Sequence, residues 1–395
     1  MPLPSATRPP PGILLLAGLS GFGAVAVDGF LPLLPGLALT FDVGPGEAQV
    51  TLGALMLGMA LGQLVYGPLS DRFGRRPPYV CGIALFVMAS LLAAAADGLA
   101  DLVVWRFVQG LGGSSAAVIV RAVIRDLHDR DAAARQLSFI TSLMGVMPIA
   151  APLVSAQILV HGGWRAVPVA MAAFGLAMGA LALWRLPETN PPARRPRHPA
   201  WLIARFYADV LRDRVCAGYV VTNIVLTTAV MVFVCASPFV MIAGRGVPAE
   251  LFGFVIMIEV GGLIAGAAIN GRLVTRFGSE TLIRRAMPAL AAASGLLVLV
   301  AALDAGGLAG FLAALFLFKV VLSFVGINAI AGALAAMPAR AGTVSAMIGA
   351  GQSAMGALAG RFATQAIGED TLVMAALMAG FAMAGIVVHR VALPR

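Results

Sequence analysis

The sequence predicts an all-α membrane protein with twelve transmembrane helices in two related six-helix bundles. Three observations carry that reading. The 395-residue chain is 60% hydrophobic and 11% charged, with a mean hydropathy of +0.94, more apolar surface than a water-soluble domain of this size can hide. Its apolar residues fall into runs of about 20 between charged or Gly/Pro-rich breaks, the length a helix needs to cross a bilayer core. A motif also recurs half a chain apart. Gly67, Leu69, Arg72, Phe73 and Gly74 of GPLSDRFGRR return as Gly271, Leu273, Arg276, Phe277 and Gly278 of GRLVTRFG, at a single offset of 204.

The spans are read in order at 12–36, 48–69, 77–96, 101–123, 136–160, 164–186, 214–243, 250–270, 282–303, 307–329, 341–366 and 371–390. The first holds Asp28, Pro32 and Pro35. Cleavage after Ala24-Val25-Ala26 is set aside, because the run is long for a leader, its basic region is Arg8 alone, and Asp28 would have no use. The second span ends at Gly67-Pro68, read as a turn, and the cluster Asp71, Arg72, Arg75 and Arg76. The third follows directly, and the fourth carries Arg106 and Gln109. The fifth contains Pro148 and Pro152, which bend or loosen a helix. The sixth closes at 187–213, the longest polar break, containing PETNPPARRPRHP. This break divides the chain into an N-terminal bundle (1–186), a cytoplasmic linker (187–213) and a C-terminal bundle (214–395). The seventh span carries Asn223 and Phe233, and the eighth carries Glu259 and runs into the second motif copy. After the ninth, the tenth holds Lys319 and Asn328, the eleventh Arg361, and the twelfth ends at Arg390.

Orientation follows from the basic residues. Of 27, all but Arg106, Arg165, Arg245, Lys319 and Arg361 fall in segments on one side, so the positive-inside rule sets both termini in the cytoplasm. The net charge of +9 does not point to nucleic acid, since these arginines lie between apolar spans and not on one soluble face. Cys81, Cys216 and Cys235 are neither a disulfide framework nor a metal set. GFGAVA at Gly21–Ala26 lacks the strand a dinucleotide fingerprint needs, and no P-loop or H-E-x-x-H occurs. No enzyme activity, metal or cofactor is expected.

These residues resemble a known family. GPLSDRFGRR is similar to the signature between spans two and three of the major facilitator superfamily, and WRFVQG (Trp105–Gly110) to an element of its drug and proton antiporters. VDGFLPLLP (Val27–Pro35), QLVYGPLSDRFGRRP, GWRA at Gly163–Ala166 and LPET at Leu186–Thr189 resemble the Bcr/CflA drug-resistance branch, which includes chloramphenicol exporters. The resemblance covers the whole chain. It implies two pseudo-symmetric bundles, alternating access and drug efflux driven by proton entry. Span five departs from the antiporter pattern: Gly145 and Pro148 are followed by Ala151-Pro152, Val154, Ser155 and Ala156, where the family has further glycines.

Charges in hydrocarbon are costly and mark functional candidates. At 1.5 Å per residue, Asp28 lies roughly 24 Å up span one and Arg106 roughly 8 Å below the outer end of span four, so in a core of about 30 Å they share a level. Asp28 is expected to be the protonation site with Arg106 tuning it; the alternative is a permanent ion pair that fixes packing. Glu259 and Lys319 are similarly placed at roughly 14 Å and 18 Å from their outer ends. They form a second pair, functional or merely stabilising. Arg361 is read as snorkelling.

Gly67, Asp71, Arg72, Gly74, Arg75 and Arg76 are expected to gate the cytoplasmic mouth, Asp71 meeting a helix end or Arg125. The second copy has Thr275 where the first has the acid, so the gate is expected to be asymmetric. Phe30, Gln109, Asn223, Phe233 and Asn328 are the candidate substrate contacts. The expected function is proton-coupled export of small amphipathic drugs, phenicol antibiotics among them, by a monomer in the bacterial inner membrane. Its partners are substrate, protons and lipids. Two alternatives are an exporter of amino acids or short peptides and a non-transporting receptor or assembly factor.

Overall fold

The computed structural model describes residues 12–127, 145–195 and 200–393. Nearly all of it is helical. Ten helical stretches among these residues are long and apolar enough to cross a membrane. The first is α1 (Ile13–Ser20), α2 (Phe22–Val27), a 3-10 segment (Asp28–Leu33) and α3 (Leu34–Thr40), strung into one interrupted span. Its break follows from Pro32, which has no N–H to offer the carbonyl of Asp28.

Next come α4 (Pro45–Phe73), α5 (Arg76–Ala94), α6 (Leu99–Leu127) and α7 (Met147–Arg185). The short α8 (Ala200–Arg212) leads into the second half: α9 (Arg214–Ser237), α10 (Phe252–Phe277), α11 (Ser279–Leu303), α12 (Gly307–Ala336), α13 (Ala341–Ile367) and α14 (Thr371–Ala392). α7 is too long for one crossing and breaks at Gly163, whose φ of 72° is left-handed, so its two limbs are the fifth and sixth spans. Residues 136–144 of the fifth lie outside the described residues. With the second limb of α7 and the 27-residue α13, the crossings are the twelve that hydropathy predicts.

One local reading needs correction. Gly67-Pro68 is not a turn: α4 runs through both to Phe73, and the chain turns at Gly74, φ 95°. A proline removes one donor inside a helix, and here packing carries the helix past it. The counterpart Gly278 also turns with positive φ, 75°, so the repeated motif encodes the same helix end twice.

The repeat reaches into the core. A Cβ on Gly58 would lie 2.1 Å from the Phe107 carbonyl oxygen, and one on Gly62 2.0 Å from Ser114 Oγ, so α4 and α6 cross with backbones almost touching. In the second half Gly262 meets the Phe316 carbonyl at 2.8 Å and Gly266 meets Ser323 Oγ at 2.0 Å, bringing α10 and α12 together. Gly58 and Gly62 stand 204 residues before Gly262 and Gly266, the offset of the motif itself. Small residues at such crossings allow the close approach on which helix association in lipid depends.

The two halves meet at the end away from the arginine motifs. α4 lies along α13, with Gly53 against Ala357, Met56 against Gly356 and Gln49 against Gly360. Farther toward the arginine end, Gln63 Nε2 donates to Ser353 Oγ at 3.2 Å. Leu153 of α7 packs on Gly253 of α10, and α3 touches the π-helical turn Pro238–Gly244 after α9.

Candidate functional site

The break in the first span positions the first charged group. Asp28 opens the 3-10 segment and is half-buried, and its carboxylate has no hydrogen-bond or ion-pair partner among the described residues. Its segment touches α9 of the other half.

Arg106 of α6 is buried, 1% exposed, and does not pair with Asp28. Its Nη2 donates to the Ala26 carbonyl at 2.7 Å and its Nη1 to Gln109 Oε1 at 2.5 Å, while Cζ sits 3.8 Å from the centroid of Phe30. Nε has no partner among the described residues. The guanidinium therefore grips the backbone two residues ahead of Asp28, at the point where the α-helix gives way to 3-10 geometry. Gln109 is held in turn, its Nε2 donating to Ser90 Oγ at 2.6 Å. Phe30 and Gln109, expected as substrate contacts, thus serve as the cradle of Arg106.

Across the interface, Lys319 Nζ donates to Glu259 Oε1 at 2.5 Å, linking α12 to α10, with both side chains buried. Phe233 of α9 presents its ring 5.3 Å from Nζ. Asn223 donates to the Gly326 carbonyl at 3.0 Å and accepts from Gln352 at 2.8 Å. Asn328 donates to Asn270 Oδ1 at 2.7 Å. Asn270 is eleven residues beyond Glu259 on the same helix, about 16 Å toward the arginine end, so Asn328 is not part of the charged cluster.

A second site lies at the arginine end of the first half. Arg75 binds Asp126 of α6 through Nε (2.8 Å) and Nη2 (3.3 Å), Ser70 at 3.0 Å, and Asp71 one turn back. Burial lowers the Arg75 pKa, but the hydrogen bonds it donates to Asp126 and Asp71 outweigh that and the guanidinium is held above its ordinary value. Glu188 accepts from the Arg75 and Arg76 backbone N–H groups at 2.8 and 3.1 Å, capping α5 from a distance. Thr189 donates to Asp126 at 2.8 Å and Asn190 to the Asp71 carbonyl at 2.8 Å. Gly74 is required here twice, by its positive φ and because a Cβ would lie 2.6 Å from Glu188. Asp71 meets Arg75, and the side chains of Arg125 and Arg361 lie outside the described residues.

Sequence reasoning did not single out Glu188, Asn190 or Asp126. A carboxylate just past a span reads as linker, and only its pairing with two free N–H groups at a helix start reveals its use. Pro148 and Pro152 both fall in the first limb of α7, at its first turn and interior, and Ser155 hydroxyl donates to the Pro152 carbonyl at 3.1 Å.

Two helical halves around a buried set of charges, tied by backbone-close helix crossings, define a polytopic membrane carrier. Residues 13–360 match the Major Facilitator Superfamily, and the chain belongs to that family. It is 32% identical over 349 residues to a bicyclomycin resistance protein homolog of Haemophilus influenzae, spanning 88% of this chain and 87% of that one. It is 30% identical over 226 residues to the multidrug resistance protein MdtL of Klebsiella pneumoniae, spanning 56% of this chain and 55% of the relative. The fold is shared with the nucleoside transporter NupG, with a TM-score of 0.73 at 13% identity over 96% of this chain and 99% of the other. The protein is a multi-pass membrane transporter of the Bcr/CflA type and not an enzyme.

Proposed function

We infer that the protein exports small amphipathic compounds, antibiotics among them, in exchange for protons by alternating access. Asp28 carries the reading. It is a half-buried carboxylate at the break of the first span, without a partner among the described residues, two residues past the carbonyl that the Arg106 guanidinium holds. A group so placed can take a proton or a cationic group of the substrate but not both, which couples the two fluxes. Arg106 holds the Ala26 carbonyl, so movement of α6 against the first span moves Asp28.

The arginine bias makes the motif end cytoplasmic in a bacterial inner membrane, with both termini inside. Residues 1–186 and 214–395 are then the two moving bundles and 187–213 the linker. The α4–α13 contact at Gly53, Met56 and Gln49 then lies toward the outer side. Arg72 and Arg76 meet the acidic inner leaflet, and the Arg75 clasp with Asp71 steadies the cytoplasmic gate. The resistance proteins among the relatives support drugs as the substrate class.

The test is a susceptibility panel, phenicols included, in an efflux-deficient host, followed by uptake into inverted vesicles. Resistance to at least one neutral or singly charged compound, with uptake abolished by a protonophore, is expected. Export of amino acids or short peptides without drug resistance would favour the metabolite reading, and uptake indifferent to protonophore would sink proton coupling.

A further inference from the structure

We propose that Glu259 and Lys319 set the charge selectivity of the substrate site: Lys319 masks the Glu259 carboxylate, so the carrier accepts compounds with at most one positive charge. This rests on Asp28 as the exchange site.

The fold does not require the pair. The first half makes the same helix crossing with Leu55 and Gly110, where a Cβ on the glycine would lie 2.0 Å from the Leu55 carbonyl oxygen. Glu259 stands 204 residues after Leu55. Lys319 stands 209 after Gly110, the same interval that separates Phe316 from Phe107 and Ser323 from Ser114, the residues these crossings use. A leucine and a glycine thus suffice where the second half places a buried carboxylate and ammonium at 2.5 Å. Burying such a pair is costly, and apolar residues of similar volume commonly serve packing as well or better.

Position supplies the use. The 3-10 segment that opens with Asp28 touches α9 of the other half, the helix that presents Phe233 to the Lys319 ammonium. Beside the pair, the face of Phe233 lies where an organic cation would stack, 5.3 Å from the ammonium that now occupies the place. With Asp28 ionised, the charges of Asp28, Arg106, Glu259 and Lys319 cancel. A proton or a monovalent cation at Asp28 takes the site to one positive charge, so the two exchange on equal terms. A dication would take it to two, in surroundings where unlike charges must balance. Without the lysine charge, a dication reaches the same net value that a monocation reaches now.

Equilibrium binding to purified protein tests this without any gradient, using tetraphenylphosphonium, the dication decamethonium and neutral chloramphenicol. K319M should gain decamethonium affinity about tenfold or more with chloramphenicol unchanged. E259Q, which strands the lysine charge, should lose tetraphenylphosphonium affinity by about the same factor, and E259Q/K319M should return to the parent pattern. Equal shifts for all three probes, or K319M indistinguishable from the double variant, overturn the proposal. If K319M fails to fold, the comparison of E259Q with the double variant still decides, because packing alone gives no recovery of the monocation. If this binding pattern holds while transport ignores protons, the export reading falls and the selectivity assignment stands.

Discussion

Arg106 is a buried cation whose acceptors are a carbonyl, a side-chain amide and an aromatic face. The planar fork of a guanidinium can reach Ala26 and Gln109 together, and a lysine offers one compact charge in its place. Arg106→Lys is therefore expected to fold but lose at least about tenfold in transport rate, with proteoliposome flux and detergent melting temperature as the paired measurements. A melting temperature that falls in step with the flux would reduce Arg106 to a packing residue. Glu188 is the corresponding residue at the gate. Glu188→Ala removes acceptors from two helix-start N–H groups and should destabilise the first half by about 1–2 kcal/mol, read by thermal unfolding. Thr275→Asp, in the copy without a clasp, should leave both stability and transport near their starting values.

At the scale of elements, the glycines separate contact from convenience. Gly58→Ala pushes a Cβ against the backbone of Phe107 and should cost about 1–3 kcal/mol, whereas Gly271→Ala meets nothing within 4 Å and should be neutral or slightly stabilising. The linker helix α8 is tied to the turn before α13 by Asp209 and Arg340. The hydrogen bond from Arg340 holds the Asp209 carboxyl below its ordinary 3.8. A depressed pKa means that this tie is present above pH 4 and is lost as pH falls through the lowered value. Proteolysis of the linker should thus be unchanged from pH 5 to 8 and rise only in stronger acid, while D209N should show the faster cleavage at every pH.

Much of this level was legible in the sequence. Apolar runs locate the spans among the described residues because lipid-facing helices must be apolar along their length, and Asp28, Arg106, Glu259 and Lys319 stand out as charges in hydrocarbon. What stayed hidden depended on partners without a side-chain signature. The acceptor of Arg106 is a backbone carbonyl, and hydropathy cannot distinguish Gly67-Pro68 inside a helix from the true turn at Gly74. The equivalence of Leu55 and Gly110 to Glu259 and Lys319 appears only once the two crossings are superposed by offset.

For the whole molecule, alternating access requires the α4–α13 contact to open. A Cβ on Gly53 would lie 3.9 Å from Ala357 Cα, so paired cysteines there probe this contact directly. G53C/A357C, in a background with the exposed Cys81 replaced, should crosslink spontaneously, stop transport and recover on reduction. Full transport by the crosslinked protein would place the moving interface elsewhere.

The most direct measurement of proton exchange at Asp28 is proton release on substrate binding. In weakly buffered detergent solution, a transported monocation added to the parent protein should release protons, and the same cation added to Asp28→Asn, at the higher concentration its weakened binding requires, should release none. Equal release from both proteins would show that Asp28 is not where proton and substrate compete.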